Sequence, residues 1–156
     1  MTHGEVASRL RRLEGAIQAV ELAVDDYDEL RMPDAVSLAL DALYKTTEAV
    51  KYVYGLTNRQ IEQLAEGDPR GRTALGLAFA RGEQTHRLVE PSHSYGFDTR
   101  PFDEGPFGGG WAWLPLDTSG WQPRSTWYAQ HVQERSVVEP LRSADEWLRE
   151  VLSSPA

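Results

Sequence analysis

The sequence predicts a mainly α fold: an up-and-down helical bundle with a small β-hairpin or aromatic loop inserted before the C-terminal helices. Three observations carry this expectation. Apolar residues recur at alternating intervals of four and three over long stretches of the first 90 residues, which is the spacing of one seam on a helix packed nearly parallel to a neighbour. Proline, glycine and capping residues cut this half into segments joined by connections of a few residues, and short links force antiparallel neighbours. Nine of the fifteen aromatic residues then crowd into residues 95–128, punctuated by Gly and Pro.

The first helix is read from Val6, Leu10, Leu13, Ile17, Val20, Val24 and Tyr27, with Arg9, Arg11, Arg12, Glu14, Gln18 and Glu21 turned to water. Asp25, Asp26, Asp28 and Glu29 sit at the end where the helix dipole prefers cations, and read as a solvated, fraying terminus. Pro33 beside Asp34 opens a second helix, whose seam is Val36, Leu40, Leu43, Thr47, Val50 and Tyr54. Leu38 and Ala39 extend its apolar surface, and Gly55 can end it in a left-handed conformation. Thr57 with Gln60 has capping-box spacing, so a short helix follows to Gly67. Asp68-Pro69 starts another helix, which the spacing extends to Pro91.

Beyond Pro91, Ser94–Thr99 and Trp111–Leu116 alternate well enough for two short strands, and Pro115 would confine the second to an edge. The rings here could stack on bases or sugars. The flanking Asp98, Asp103, Glu104 and Asp117 would repel phosphate, so packing over the bundle is the favoured reading. Gly108-Gly109-Gly110 is followed by Trp111 where a phosphate loop requires Lys, so it is no such loop. Helical spacing returns after Pro123, around Trp127 to Val132 and then Leu141, Ala144, Leu148, Val151 and Leu152. Ser143 with Glu146, or else Pro140, would open the last helix. The expected organisation is one domain: a bundle core over 1–90, an aromatic hairpin or loop over 91–123, and C-terminal helices over 124–156.

Composition removes several function classes. The 156 residues carry 16 Lys plus Arg against 24 Asp plus Glu, a net charge of −8. A sequence-independent nucleic-acid coat or a polybasic membrane binder is therefore not expected. Cysteine is absent, which removes disulfides, thiol nucleophiles and cysteine zinc sites. No apolar run reaches the roughly 18 residues of a membrane span, and Met1-Thr2-His3-Gly4-Glu5 lacks the order of a secretion signal, so a cytoplasmic location is expected.

Chemistry concentrates at His86. On a continuous helix Leu75, Ala78, Gly82, Thr85 and Val89 would form the inner stripe, Gly82 permitting close approach by another helix. Arg81 and His86, five residues apart, would straddle that stripe at roughly 140°. Two copies packed across a two-fold axis could bring an Arg and a His together. The structural alternative is a surface Arg81 paired with Glu83 or Glu90, and a hydrogen-bonded His86. His86 and Glu90, four apart, with His93 beyond Pro91, form only a poor zinc ligand set, so no metal or other cofactor is expected.

An apolar run, then Arg, four residues and His, on a late helix of a small bundle, resembles the HEPN superfamily (higher eukaryotes and prokaryotes nucleotide-binding). The resemblance covers at most residues 5–90. It implies a metal-independent ribonuclease, often a toxin or defence effector, with its site built at a homodimer interface. His86 would be the acid/base group at the 2′-hydroxyl and leaving oxygen, and Arg81 would hold the scissile phosphate. Arg87 and Thr85 are the accompanying substrate-binding candidates. Imidazole titrates near working pH, and a guanidinium grips phosphate bidentately, so the residue types suit those roles. Gly82 departs from the family pattern, which has a polar residue, often Asn or Asp, after the Arg. The expected partners are a second copy, RNA if the site is catalytic, and a protein such as an antitoxin. The rival reading is a non-catalytic helical interaction protein with an acidic face.

Overall fold

A computed structural model describes residues 1–83, 87–91 and 110–154. Among them the chain forms α1 (His3–Asp25), α2 (Met32–Tyr54), α3 (Asn58–Glu66), α4 (Pro69–Gly82), β1 (Val89–Pro91), β2 (Trp111–Trp113), α5 (Arg124–His131) and α6 (Val138–Ser153). The fold is mainly helical, with a small antiparallel two-stranded sheet placed before the last two helices.

The two long seams pack α1 against α2. Val6, Leu13, Ile17 and Val20 of α1 are buried, as are Val36, Leu40, Leu43, Thr47 and Val50 of α2. Burying each large aliphatic side chain in full stabilises by about 1.5–3 kcal/mol relative to exposure. Thr47 avoids an orphaned hydroxyl by donating to the Leu43 carbonyl at 2.9 Å. Tyr27, expected in the first seam, lies beyond the helix with φ 49 and is exposed. Leu38, expected to widen the apolar face of α2, is also exposed. The acidic stretch closes the turn into α2, where Asp28 Oδ1 accepts from the backbone N–H of both Leu30 and Arg31.

Local signals set most helix ends. Thr2 and Glu5 form a capping box at α1, and Thr57 and Gln60 form one at α3. Asp68 accepts from the Arg70 N–H at the start of α4. Gly55 ends α2 at φ 63, a conformation that side chains resist. At α6 the Ser143–Glu146 spacing is not the start; Pro140 falls in the first turn instead.

Two expectations fail beyond α4. The helix stops at Gly82 rather than running to Pro91, and Val89–Pro91 forms β1, pairing Val89 with Trp113, Glu90 with Ala112 and Pro91 with Trp111. Val89 therefore belongs to no helical stripe. A ladder partner and the burial of Leu88 and Val89 outweigh the helix propensity of the segment. Nor is β2 an edge strand. Beyond β1 on one side, it has residues 134–137 on the other: Trp113 N–H donates to Arg135 O at 3.1 Å, and Val137 N–H to Trp111 O at 2.9 Å. Pro115 lies past the strand's end and leaves both ladders intact. The strand expected over Ser94–Thr99 lies outside the described residues.

The centre of the molecule is α4. Gly71 and Thr73 through Ala80 are buried, and α2, α3, α5 and α6 all pack on this helix. Its small residues admit close neighbours. A Cβ on Gly76 would stand 2.8 Å from the Tyr128 backbone nitrogen of α5. One on Gly71 would stand 2.7 Å from Ala65 Cα of α3 and 2.8 Å from the Trp147 indole of α6. Gly82, expected to permit close approach by another helix, has among the described residues only a Trp121 ring atom, at 3.9 Å from an added Cβ. Trp111, Trp113, Trp127 and Tyr128 are buried as packing over the bundle, while Trp121 stays 49% exposed.

Candidate functional site

Arg81 occupies the last turn of α4, and its side chain reaches back to α2. Nη2 donates to Asp41 Oδ1 at 3.1 Å, and the guanidinium carbon lies 4.2 Å from the centre of the Tyr44 ring. Asp41 and Tyr44 are three apart on α2 and so face the same way. Lys45, one turn beyond Asp41, reaches its Oδ2 at 2.7 Å. The Lys45 ammonium, and after it Arg81, hold the Asp41 carboxyl below its ordinary range, so it stays ionised. The partner of Arg81 is therefore Asp41, not the expected Glu83 or Glu90. A guanidinium has five N–H donors. Here the described residues offer a single acceptor, and Nε is buried without one.

His86 and Thr85 lie outside the described residues, so the Arg81–His86 relation is not among the described geometry. The separation of roughly 140° supposed a helix continuing to Pro91, whereas α4 ends at Gly82. Arg87 is exposed, and its Nε donates to the Val89 carbonyl at 3.1 Å. With Leu88, Val89 and the first turns of α2, including Asp34 and Ser37, it lines a cavity of about 220 Å³. Ser37 and Asp41 are one turn apart on α2, so this cavity and the Arg81 clamp share a helix face.

Among the described residues, Arg70 and Arg72 lie away from Arg81 and Arg87. Arg70 and Arg72 stand at the opposite end of α4, eleven and nine residues before Arg81, or roughly 13–16 Å along the axis. Arg70 is held by Asp68 at 2.8 Å and by Glu150, and Arg72 donates to the Glu66 carbonyl at 3.1 Å. Among the described residues no three His, Asp or Glu side chains gather to hold a metal ion, and His86 and His93 fall outside that set. No helix of the described residues is long and apolar enough to cross a membrane.

Sequence reasoning missed Asp41 and Tyr44. The Asp41–Lys45 spacing signals a pair on one helix, but nothing local links either to a residue 40 positions later. It also missed a polar cavity of about 220 Å³ where the first turns of α4 and α6 meet the end of α5.

Compared with protein-family models, curated proteins and solved structures, the chain matches none of them.

Proposed function

We propose that the chain is a HEPN-like endoribonuclease that works without a metal ion. In this reading His86 takes the proton from the 2′-hydroxyl, which attacks phosphorus as the bond to the 5′-oxygen breaks, and a proton is returned to that leaving oxygen. Arg81 holds the phosphate, with Arg87 and Thr85 beside it. The working form is a homodimer that shares the two motifs. The cellular setting is a bacterial cytoplasmic toxin or defence effector, restrained by an antitoxin-type protein.

The observation that supports this reading is the mounting of Arg81. It projects from a helix held on all sides, one edge is braced by Asp41 and one face by Tyr44, and only one of its donors has an acceptor among the described residues. A guanidinium fixed in this way loses little rotamer freedom when it grips an anion. Its charge then stabilises the phosphorane oxygens as they develop.

The test is cleavage of a fluorescent single-stranded RNA in the presence of a chelator. Wild type should cleave to a 2′,3′-cyclic phosphate, and Arg81→Ala and His86→Ala should each lose at least about 100-fold. The double variant should be no worse than either single one. Mixing the singles should restore activity if each site draws on both copies.

A second reading, the non-catalytic interaction protein, is favoured by the Asp41–Arg81 pair itself, which gives Arg81 a structural role with no ligand present. Under it wild type cleaves no RNA, and Arg81→Ala only lowers the melting temperature.

A further inference from the structure

We infer that the polar cavity between α4, α5 and α6 binds a phosphate-sized anion, either free or as the phosphoryl end of a phosphomonoester. This site is separate from Arg81 and does not rest on the ribonuclease reading. Its volume, about 220 Å³, is room for several waters at roughly 30 Å³ each. Arg70 and Thr73 come from the first turns of α4, His131 from the end of α5, Arg135 from the link that follows, and Glu139 and Ser143 from α6.

These side chains differ in what they can still offer. Arg70 is already neutralised by Asp68 and Glu150, and the Thr73 hydroxyl donates to the Pro69 carbonyl at 2.9 Å, so both serve as walls. Arg135 is different. Its ion-pair partner among the described residues is Glu139, at 3.8 Å, beyond hydrogen-bond range, with both side chains half exposed. Its fork remains able to take an anion bidentately. His131 adds a ring N–H, and Ser143 a hydroxyl.

Burial first, and then the nearby Arg72 and Arg135, disfavour a charged imidazole at His131; Arg72 Nε is buried with no acceptor among the described residues. The one carboxylate on the wall, Glu139, opposes an anion and competes for Arg135.

Isothermal titration at low ionic strength tests this, with inorganic phosphate, sulfate and adenosine 5′-monophosphate as probes. Wild type should bind both inorganic dianions. Arg135→Gln should weaken binding about tenfold or more, and His131→Gln by a smaller factor. Glu139→Gln should tighten it severalfold, a gain that a misfolded variant does not mimic. Tighter binding of the nucleotide than of phosphate assigns a phosphomonoester, and equal or weaker binding assigns the free anion. Absence of phosphate heat in wild type overturns the inference. So do unchanged affinities in both Arg135→Gln and Glu139→Gln, which would mark an adventitious ion only.

Discussion

Single side chains set how this protein responds to acid. Burial first, then Arg72 and Arg135, lowers the tendency of His131 to protonate below its ordinary value of 6.5. The folded state therefore binds fewer protons than the unfolded chain once pH drops below about 6.5, and stability falls with pH in that window. His131→Gln should flatten the decline of melting temperature between about pH 7 and 5.5. An identical slope in the variant would contradict this. A second loss belongs to Glu14 and Asp68, whose carboxyls are depressed below 4.5 and 3.8, chiefly by hydrogen bonds from Arg142 and Arg70 respectively. Their contribution is full above those values and disappears as pH falls through the lower folded ones. Arg70 sits two residues from Asp68, but the partners of Glu14 and His131 could not be read from the sequence. Arg142 lies 128 residues from Glu14, and His131 meets Arg72 only because α5 lies along α4.

At the scale of elements, the glycines of α4 separate what was legible from what was not. A small-residue stripe on this helix is visible in the sequence, but which glycine bears the contact is a tertiary fact. Gly76→Ala would push a methyl group into the Tyr128 backbone and should cost about 3 kcal/mol. Gly71→Ala meets backbone on one side and indole on the other, and should cost a similar amount. Among the described residues Gly82→Ala meets nothing closer than ordinary contact, and it should be neutral or stabilising by about 0.5 kcal/mol. Chemical denaturation of the three variants checks the order, and a Gly82→Ala variant less stable than Gly76→Ala would refute this packing.

The end of α4 was illegible for a related reason. Residues 83–88 contain no strong breaker, and β1 ends on a proline, so only the presence of β2 more than 20 residues later identifies Val89–Pro91 as a strand. The long seams of α1 and α2 needed no such help, because their period is written in consecutive side chains.

For the molecule as a whole, α6 is the closing element, packing on α4, α1 and α2. Arg142 fastens it to α1: Nε donates to Glu21 at 2.6 Å, and Nη1 to both Glu14 oxygens at 2.9 and 2.8 Å. Arg149 adds a bond to Asp145 at 2.9 Å on the same face. The seam pattern alone sends Glu14 and Glu21 to solvent, because it does not reveal which charged neighbours a later helix will cover. Arg142→Met keeps the aliphatic stem and removes the charge, and should cost about 1 kcal/mol for this third-exposed network. That cost should shrink at roughly 1 M salt, where screening is short-ranged. A salt-independent loss would show that packing, not charge, holds the helix.

The uneven placement of the tryptophans has an optical consequence. Trp111, Trp113, Trp127 and Trp147 are sealed inside, whereas Trp121 stands half in water, 4.8 Å from the Arg124 guanidinium. Iodide in the solvent should quench one of the five emitters in the native protein and all five after unfolding. The fluorescence that iodide removes is then a label-free signal from one place, the Trp121 ring resting beside Gly82 where α4 ends. Anything that docks there should darken or shield it, while the buried four report only whether the chain is folded.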